Sequence, residues 1–176
     1  MKDELSNIEN QLLVMDAQDG DAAAMEKLVI RWQKILWLHA FRLTSDRQVA
    51  WDITQQSWVG IIRGLNKLHD PAHFKAWAYR ITTNKAIDWL KKSKAATLIS
   101  IEEIKELQSE YKEDLGVAEL LEKLDLPHKV ILSLYYFEQL SVSEISVAMD
   151  IPAGTVKSRL YNARKKFKTL WQTYCQ

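Results

Sequence analysis

Apolar residues along this chain recur mainly at three- and four-residue steps, a period that predicts helices almost throughout. Met1 to Met15 carries a weak stripe of Leu5, Ile8, Leu12 and Leu13. The polar run Asp16 to Asp21, with Gly20 inside it, breaks the stripe and leaves Asp21 as a cap for the next helix. From Ala22 to Leu43 the positions Met25, Leu28, Val29, Trp32, Leu36, His39, Ala40 and Leu43 line one broad face, as in a long helix packed on a core. Thr44-Ser45-Asp46 ends that helix and caps a third, about Arg47 to Leu68, in which Val49, Ile53, Trp58, Ile61, Ile62 and Leu65 recur. Asp70-Pro71 marks a fourth start, a cap followed by proline in the first turn, and this helix runs to about Lys92.

The pattern then changes. Lys91 to Lys94 is basic, and Ala95 to Asp114 is acidic with weak periodicity, which reads as a linker holding one short helix at Ile101 to Leu107. From Gly116 the helical period returns with Val117, Leu120, Leu121 and Leu124, and Pro127 opens a helix containing Val130, Ile131, Leu134 and Phe137. Ser141 and Glu144 have the spacing of a capping box ahead of Ile145, Ala148 and Met149. Asp150-Ile151-Pro152 interrupts that helix, because proline disfavours helix at the residue before it. A last helix from Ala153 buries Val156, Leu160 and Phe167 and carries Lys157, Arg159, Arg164, Lys165, Lys166 and Lys168 on its other faces. A short capped helix, a tight turn and a longer basic helix outline a helix-turn-helix. The chain therefore reads as all-α, with two small helical domains at 1–94 and 116–176 joined by an acidic linker at 95–115.

Composition sharpens this in one respect. A formal charge of +1 conceals a segregation: 151–176 holds six Lys/Arg and no acid, whereas 102–125 holds nine acids against three lysines. One-sided basic charge at a helix-turn-helix points to a polyanionic partner. The single Cys175 excludes an internal disulfide. His69 and His73 are four apart, but Asp70-Pro71 between them breaks the face they would share, and no Cys or Glu completes a metal set. Neither a glycine-rich phosphate loop, a nucleophile elbow nor an HExxH motif is present, so no enzyme, metal or cofactor is expected. With no long apolar run for a signal peptide or membrane span, a cytoplasmic protein without membrane insertion is expected.

Two further clusters carry candidate chemistry. Trp77, Arg80, Asn84, Asp88 and Lys91 fall within about an 80° arc of the fourth helix. An aromatic with a guanidinium, an amide and a carboxylate on one face is what stacking on and reading unpaired bases requires. Asp52, Gln55 and Gln56 stand amid Trp51, Ile53 and Trp58 on the third helix, a polar cluster in an aromatic setting that suits a protein interface. From the residues alone the chain reads as a nucleic-acid-binding protein, and two rival readings stay open: a duplex-binding regulator whose N-terminal helices dimerise or sense a ligand, and a helical interaction protein.

The stretches GDAAAMEKL, VAWDITQQSW, FKAWAYRITTNKAIDWLKKSK and EISVAMDIPAGTVKSRLYNARKKF, in this order and spacing, resemble the sigma-70 family of transcription initiation factors, in its small extracytoplasmic-function group. The resemblance covers Gly20 to Lys94 and Leu124 to Leu170. It implies that the first domain is region 2 and the second region 4. Asp52, Ile53, Gln55 and Gln56 would then dock on the clamp coiled coil of the largest subunit of core RNA polymerase, with the polymerase flap as a second contact. The loop Asn66 to His73, with His73, Trp77, Arg80, Asn84 and Asp88, would open and read the −10 element. Lys157, Ser158, Tyr161 and Asn162 would face the −35 major groove, with Thr155, Arg159 and Arg164 placed for phosphates or internal pairing. An anti-sigma factor is the implied regulatory partner. The chain departs from the family pattern at Asn162, where arginine is usual, at Ser146 and Asp150, where alanine and glycine are usual, and at Trp51, where an acid is common. Asparagine pairs naturally with adenine and arginine with guanine, so Asn162 bears on the −35 sequence. Aspartate can occupy a left-handed turn at some cost, so the motif is expected to survive Asp150.

Overall fold

The computed structural model describes residues 2–94 and 115–174, and every regular element among them is helical. The expected linker helix at 101–107 and Cys175 lie outside the described residues. A first group of helices comprises α1 (Lys2–Gln18), α2 (Ala22–Thr44), α3 (Arg47–Gly64) and α4 (Phe74–Lys94). A second comprises α5 (Leu115–Glu122), α6 (Leu126–Leu132) continued by a π-helical turn (Ser133–Phe137), α7 (Val142–Met149) and α8 (Ala153–Tyr174).

The expected caps set the boundaries. Asp21 accepts from the amides of Ala23 at 2.8 Å and Ala24 at 3.3 Å, just after Gly20 turns the chain at φ +94°, a region glycine enters without steric cost. Ser45 closes α2 in the left-handed region, and Asp46 accepts from Val49 N at 2.9 Å to start α3. Asp70 accepts from Ala72 N at 2.9 Å, and Pro71–His73 forms a 3-10 turn that leads into α4. α3 stops at Gly64 and gives way to a 3-10 turn, Leu65–Lys67, short of the expected Leu68.

The N-terminal segment differs from its pattern. α1 runs on to Gln18 and buries Asn10, Val14 and Ala17, while Ile8, Leu12 and Met15 face solvent. The buried face is set by a polar anchor that hydrophobic periodicity does not count: the Trp32 indole N–H donates to Asn10 Oδ1 at 2.6 Å. Gln18 Nε2 donates to the carbonyls of Leu65 and Leu68, both at 2.8 Å, and ties α1 to the loop before α4.

Leu28, Leu36, Leu43, Ile61, Phe74 and Tyr79 form the centre of the first group, and Leu120, Ile131, Leu134, Ile145, Val156 and Leu160 that of the second. Fully burying each large apolar side chain contributes about 1.5–3 kcal/mol. The two groups meet where α4 packs against α7. Around that seam Lys129 Nζ donates to Leu43 O at 3.0 Å, the Ser45 hydroxyl donates to Glu122, and Arg42 lies over the Phe137 ring at 4.8 Å.

Gly64 gives this packing a test. A Cβ there would sit 3.0 Å from the Trp77 ring. Glycine to alanine in a helix ordinarily gains up to about 1 kcal/mol. Here overpacking against an indole wedged between α3 and Phe74 costs about 1–2 kcal/mol. A thermal melt of Gly64→Ala is expected to show a lowered midpoint, and an unchanged or raised one would count against the packing described.

Candidate nucleic-acid interface

The helix-turn-helix forms as its sequence requires. Ser141 Oγ accepts from Glu144 N at 3.2 Å while Glu144 Oε2 accepts from Ser141 N at 2.8 Å, the reciprocal capping box. α7 ends at Asp150 in the left-handed region (φ 55°, ψ 48°), so aspartate does adopt the conformation that glycine would take there. Ser146 fastens the turn, its hydroxyl donating to Ile151 O at 2.6 Å and its carbonyl accepting from Ile151 N at 3.1 Å.

On α8, Val156, Leu160 and Ala163 face inward and hold the helix on its partners. Lys157, Ser158, Tyr161 and Asn162 stand exposed within about a 140° arc. Tyr161 is 68% exposed. Thr155 and Arg159 are half-buried at the edge of this surface, and Ser158 Oγ donates back to Thr155 O at 3.0 Å, leaving its lone pairs outward. Arg164 takes the internal one of its two expected roles. Its Nε donates to Tyr136 OH at 2.8 Å and its guanidinium lies over the Tyr135 ring at 4.8 Å. Lys166 likewise donates to Asp125 Oδ2 at 2.8 Å.

The second surface is on α4. Trp77 is half-buried against Phe74 and Gly64, with its remaining edge beside Arg80 along the helix face, and Asn84 and Asp88 are exposed. His73 is exposed at the head of α4, with Nδ1 3.1 Å from Asp70 Oδ2. Arg80 is not directed to solvent alone: its Nη2 lies 2.9 Å from Asp150 Oδ2, in the turn of the helix-turn-helix. The third surface is on α3. Asp52, Gln55 and Gln56 are exposed together, next to Trp51, whose ring lies 5.7 Å from that of Trp37. Ile53, expected in this set, is only 3% exposed and belongs to the core. The α3 pattern already counted it among the inward positions, and burial prevails over its place between two surface residues.

The group that the sequence did not single out is Glu138. It follows the π-helical turn, ahead of Gln139 in the left-handed region, and its side chain is 5% exposed. Arg42 Nη1 donates to Oε1 at 2.8 Å, the Tyr79 hydroxyl donates to Oε2, and His39 Nδ1 lies 3.3 Å from Oε1. His39 is fully buried, its Nε2 2.8 Å from Thr83 Oγ1. A histidine on an otherwise apolar helix face was the one available signal, because a buried imidazole requires polar partners. Burial pushes the Glu138 carboxyl up, but the hydrogen bond and charge of His39, the charge of Arg42 and the Tyr79 hydroxyl hold it below the usual carboxylate range. Burial and then the Glu138 charge push the Tyr79 phenol above its ordinary range, so it stays a donor.

A carboxyl depressed in the native state adds stability above its unfolded pKa, and that stability is lost as pH falls through the lowered value. Thermal midpoints recorded from about pH 6 down to about pH 3 are expected to fall less steeply in Glu138→Gln than in the parent. Parallel curves would remove Glu138 from the acid response.

Comparison with known proteins gives a consistent picture. Residues 28–96 match the family model described as sigma-70 region 2, and residues 115–167 that described as sigma-70, region 4. The chain is 32% identical over 129 residues to the RNA polymerase sigma factor SigV of Bacillus subtilis, covering 72% of this chain and 78% of that one. It is 29% identical over 176 residues to the ECF RNA polymerase sigma-E factor of Salmonella typhimurium strain LT2, covering 89% and 91%. Among solved structures, CnrH in complex with the cytosolic domain of CnrY superposes with a TM-score of 0.74 at 23% identity, over 94% of this chain and 98% of that one. Among the described residues no helix is long and apolar enough to cross a membrane, and no group of His, Cys, Asp or Glu could hold a metal ion.

Proposed function

We propose that this chain, which belongs to the sigma-70 family in its extracytoplasmic-function branch and is a factor for transcription initiation, works as a two-point promoter reader. In this reading residues 1–94 are the module that engages core RNA polymerase and the −10 element, 116–176 the −35 module, and 95–115 the tether between them. The observation that carries it is the pairing of two unlike surfaces on one chain: an aromatic-amide face on α4 and an exposed basic, aromatic face on α8.

Each surface suits its task physically. The half-buried Trp77 is braced by Phe74 and Gly64, so a base stacking on the exposed part of its ring face meets a fixed ring. Base–aromatic stacking contributes about 1–3 kcal/mol per base, enough to offset unstacking of a step in the duplex. Arg80, Asn84, Asp88 and His73 supply donors and acceptors along the same strand path. On α8, Lys157, Ser158, Tyr161 and Asn162 are the side chains that reach base edges, with Arg159 and Thr155 toward the backbone. The chain supplies no bond-making chemistry in this reading.

Polymerase contact falls to Asp52, Gln55 and Gln56, beside the exposed Trp51. On the second module, an apolar groove of about 470 Å³ between α5, α6 with its π-turn, and α8 presents Val117, Leu121, Tyr136 and Phe167 to a partner. We assign the polymerase flap to it. That CnrH, which shares this fold, is found in complex with another protein supports control by a protein partner, here an anti-sigma factor.

Run-off transcription with core polymerase on a pool of host promoters tests the reading, and absence of any promoter-directed transcript would overturn it. Asp52→Ala with Gln55→Ala is expected to weaken retention of core polymerase about tenfold, equivalent to about 1.4 kcal/mol. Asn162→Arg is expected to move preference at one −35 position from adenine toward guanine, by about 1–3 kcal/mol of discrimination, read by selection of bound promoters.

A further inference from the structure

We propose that the cleft between α1, α2 and the head of α4 is a binding site for a small organic anion, a carboxylate or phosphate carried on an apolar body, with Asn10 and Lys75 holding its charged end. The cleft encloses about 390 Å³. That lies within the roughly 300–1,000 Å³ usual for ligand pockets. Trp32 and Ile35 supply its apolar wall, α1 brings Ser6 and Asn10, and Arg31 and Lys75 add two cations. None of the side chains named above for polymerase or DNA contact lines it, so the inference does not rest on promoter reading.

Asn10 is the residue on which the inference turns. It is only 7% exposed, yet it lines the cleft. The Trp32 indole N–H can only donate, so the oxygen of the Asn10 amide must face it, at 2.6 Å, and the NH2 group must face away. Two N–H donors are thereby left with no acceptor among the described residues. A buried donor left unmade is costly, so its place on a cleft wall marks where an acceptor belongs. The groups around it are mostly donors too. Ser6 Oγ accepts from Arg31 Nη2 at 3.2 Å, which leaves its own O–H to donate. Arg31 is tied to Glu9 at 3.0 Å, but half-buried Lys75 has no acid partner among the described residues. The one acid on the wall, Glu144, is committed to the capping box, its Oε2 accepting from both Ser141 N and Ser141 Oγ. This surplus of donors selects a negatively charged, acceptor-rich group. Past Ile35 and Lys75 lies a second cleft of about 320 Å³, bordered by Leu38 and Phe137, and the apolar body of the ligand belongs there.

Titration of the isotope-labelled full chain with phenyl phosphate, naphthoate and benzylamine tests this, followed by NMR at the side-chain amide of Asn10 and the indole of Trp32. At least one anion is expected to shift both resonances and to saturate at about millimolar concentration, the range open to a probe of this size. Benzylamine is expected to shift neither. Binding of one anion and not the other supports the site and identifies its head group. Lys75→Gln is expected to weaken anion binding about fivefold. Asn10→Asp keeps an acceptor for Trp32 but replaces the two donors with a charged oxygen, and is expected to weaken binding about tenfold or more. Lys75 pairs with nothing in the protein, so its variant decides the matter even if Asn10→Asp does not fold. No saturable shift with either anion, equal binding of benzylamine, or unchanged affinity in either folded variant would overturn the proposal and leave the cleft to solvent.

Discussion

A carboxylate withdrawn from water has to be met by donors, and the arrangement of the two helical groups depends on how Glu138 is met. Its partners come from α2 and α4, not from its own group, so the second set of helices satisfies its buried acid only by docking on the first. That requirement fixes where α6 and its π-turn sit. The π-turn and the left-handed Gln139 deliver the carboxylate to the seam, at a local backbone cost of about 1–2 kcal/mol for a non-glycine residue in that region. Lys129 also crosses the interface, donating to Leu43 O at 3.0 Å, but its charge is met within its own group, by Glu122.

α4 is the element on which these demands converge. One side supplies Phe74 and Ala78 to the core of the first group, and another supplies Tyr79 to Glu138. A third carries Trp77, Arg80, Asn84 and Asp88. A helix committed on two sides leaves little freedom for the third, which is the rigidity that the proposed base-reading role of this face requires. The same economy explains the half-burial of Trp77. Gly64 lets the indole close on α3, trading part of its stacking area for a fixed orientation.

Helices, caps and the helix-turn-helix were legible because each rests on local chemistry: Asp21, Asp46, Asp70 and the Ser141–Glu144 box all act within a few residues. What was not legible depends on partners distant in the chain. The buried face of α1 turns on Asn10 meeting Trp32, and hydrophobic periodicity passes over an asparagine. Ile53 sits between surface residues but is claimed by the core. Glu138 lies 96 residues from Arg42, and nothing in its neighbourhood marks an acid as inward-facing. Of the candidate surfaces, the exposed residues of α8 and α3 stand where their helical period put them. The engagement of Arg80 by Asp150 could be seen only once the two helical groups were placed side by side.

The charge on α8 also looks different once its partners are known. Of its six basic residues, Arg164 is held by Tyr135 and Tyr136, and Lys166 by Asp125. Both serve the packing of the second group. Arg164 in particular braces the π-turn that leads to Glu138, so a cation of the basic helix helps support the seam between the two groups. On the proposed reading, four basic side chains of α8 then remain for phosphates. Each neutralised phosphate contributes a salt slope of about 0.9, so four contacts lose roughly two orders of magnitude in affinity between 50 and 200 mM salt. A DNA-binding module with so small a footprint would gain specific binding chiefly by being tethered to a second contact, since linkage raises effective concentration without any new interaction. On the proposed two-point reading, the modest charge of α8 and the division of the chain into two modules belong together: neither would bind strongly alone, and the promoter would be held only with both in place.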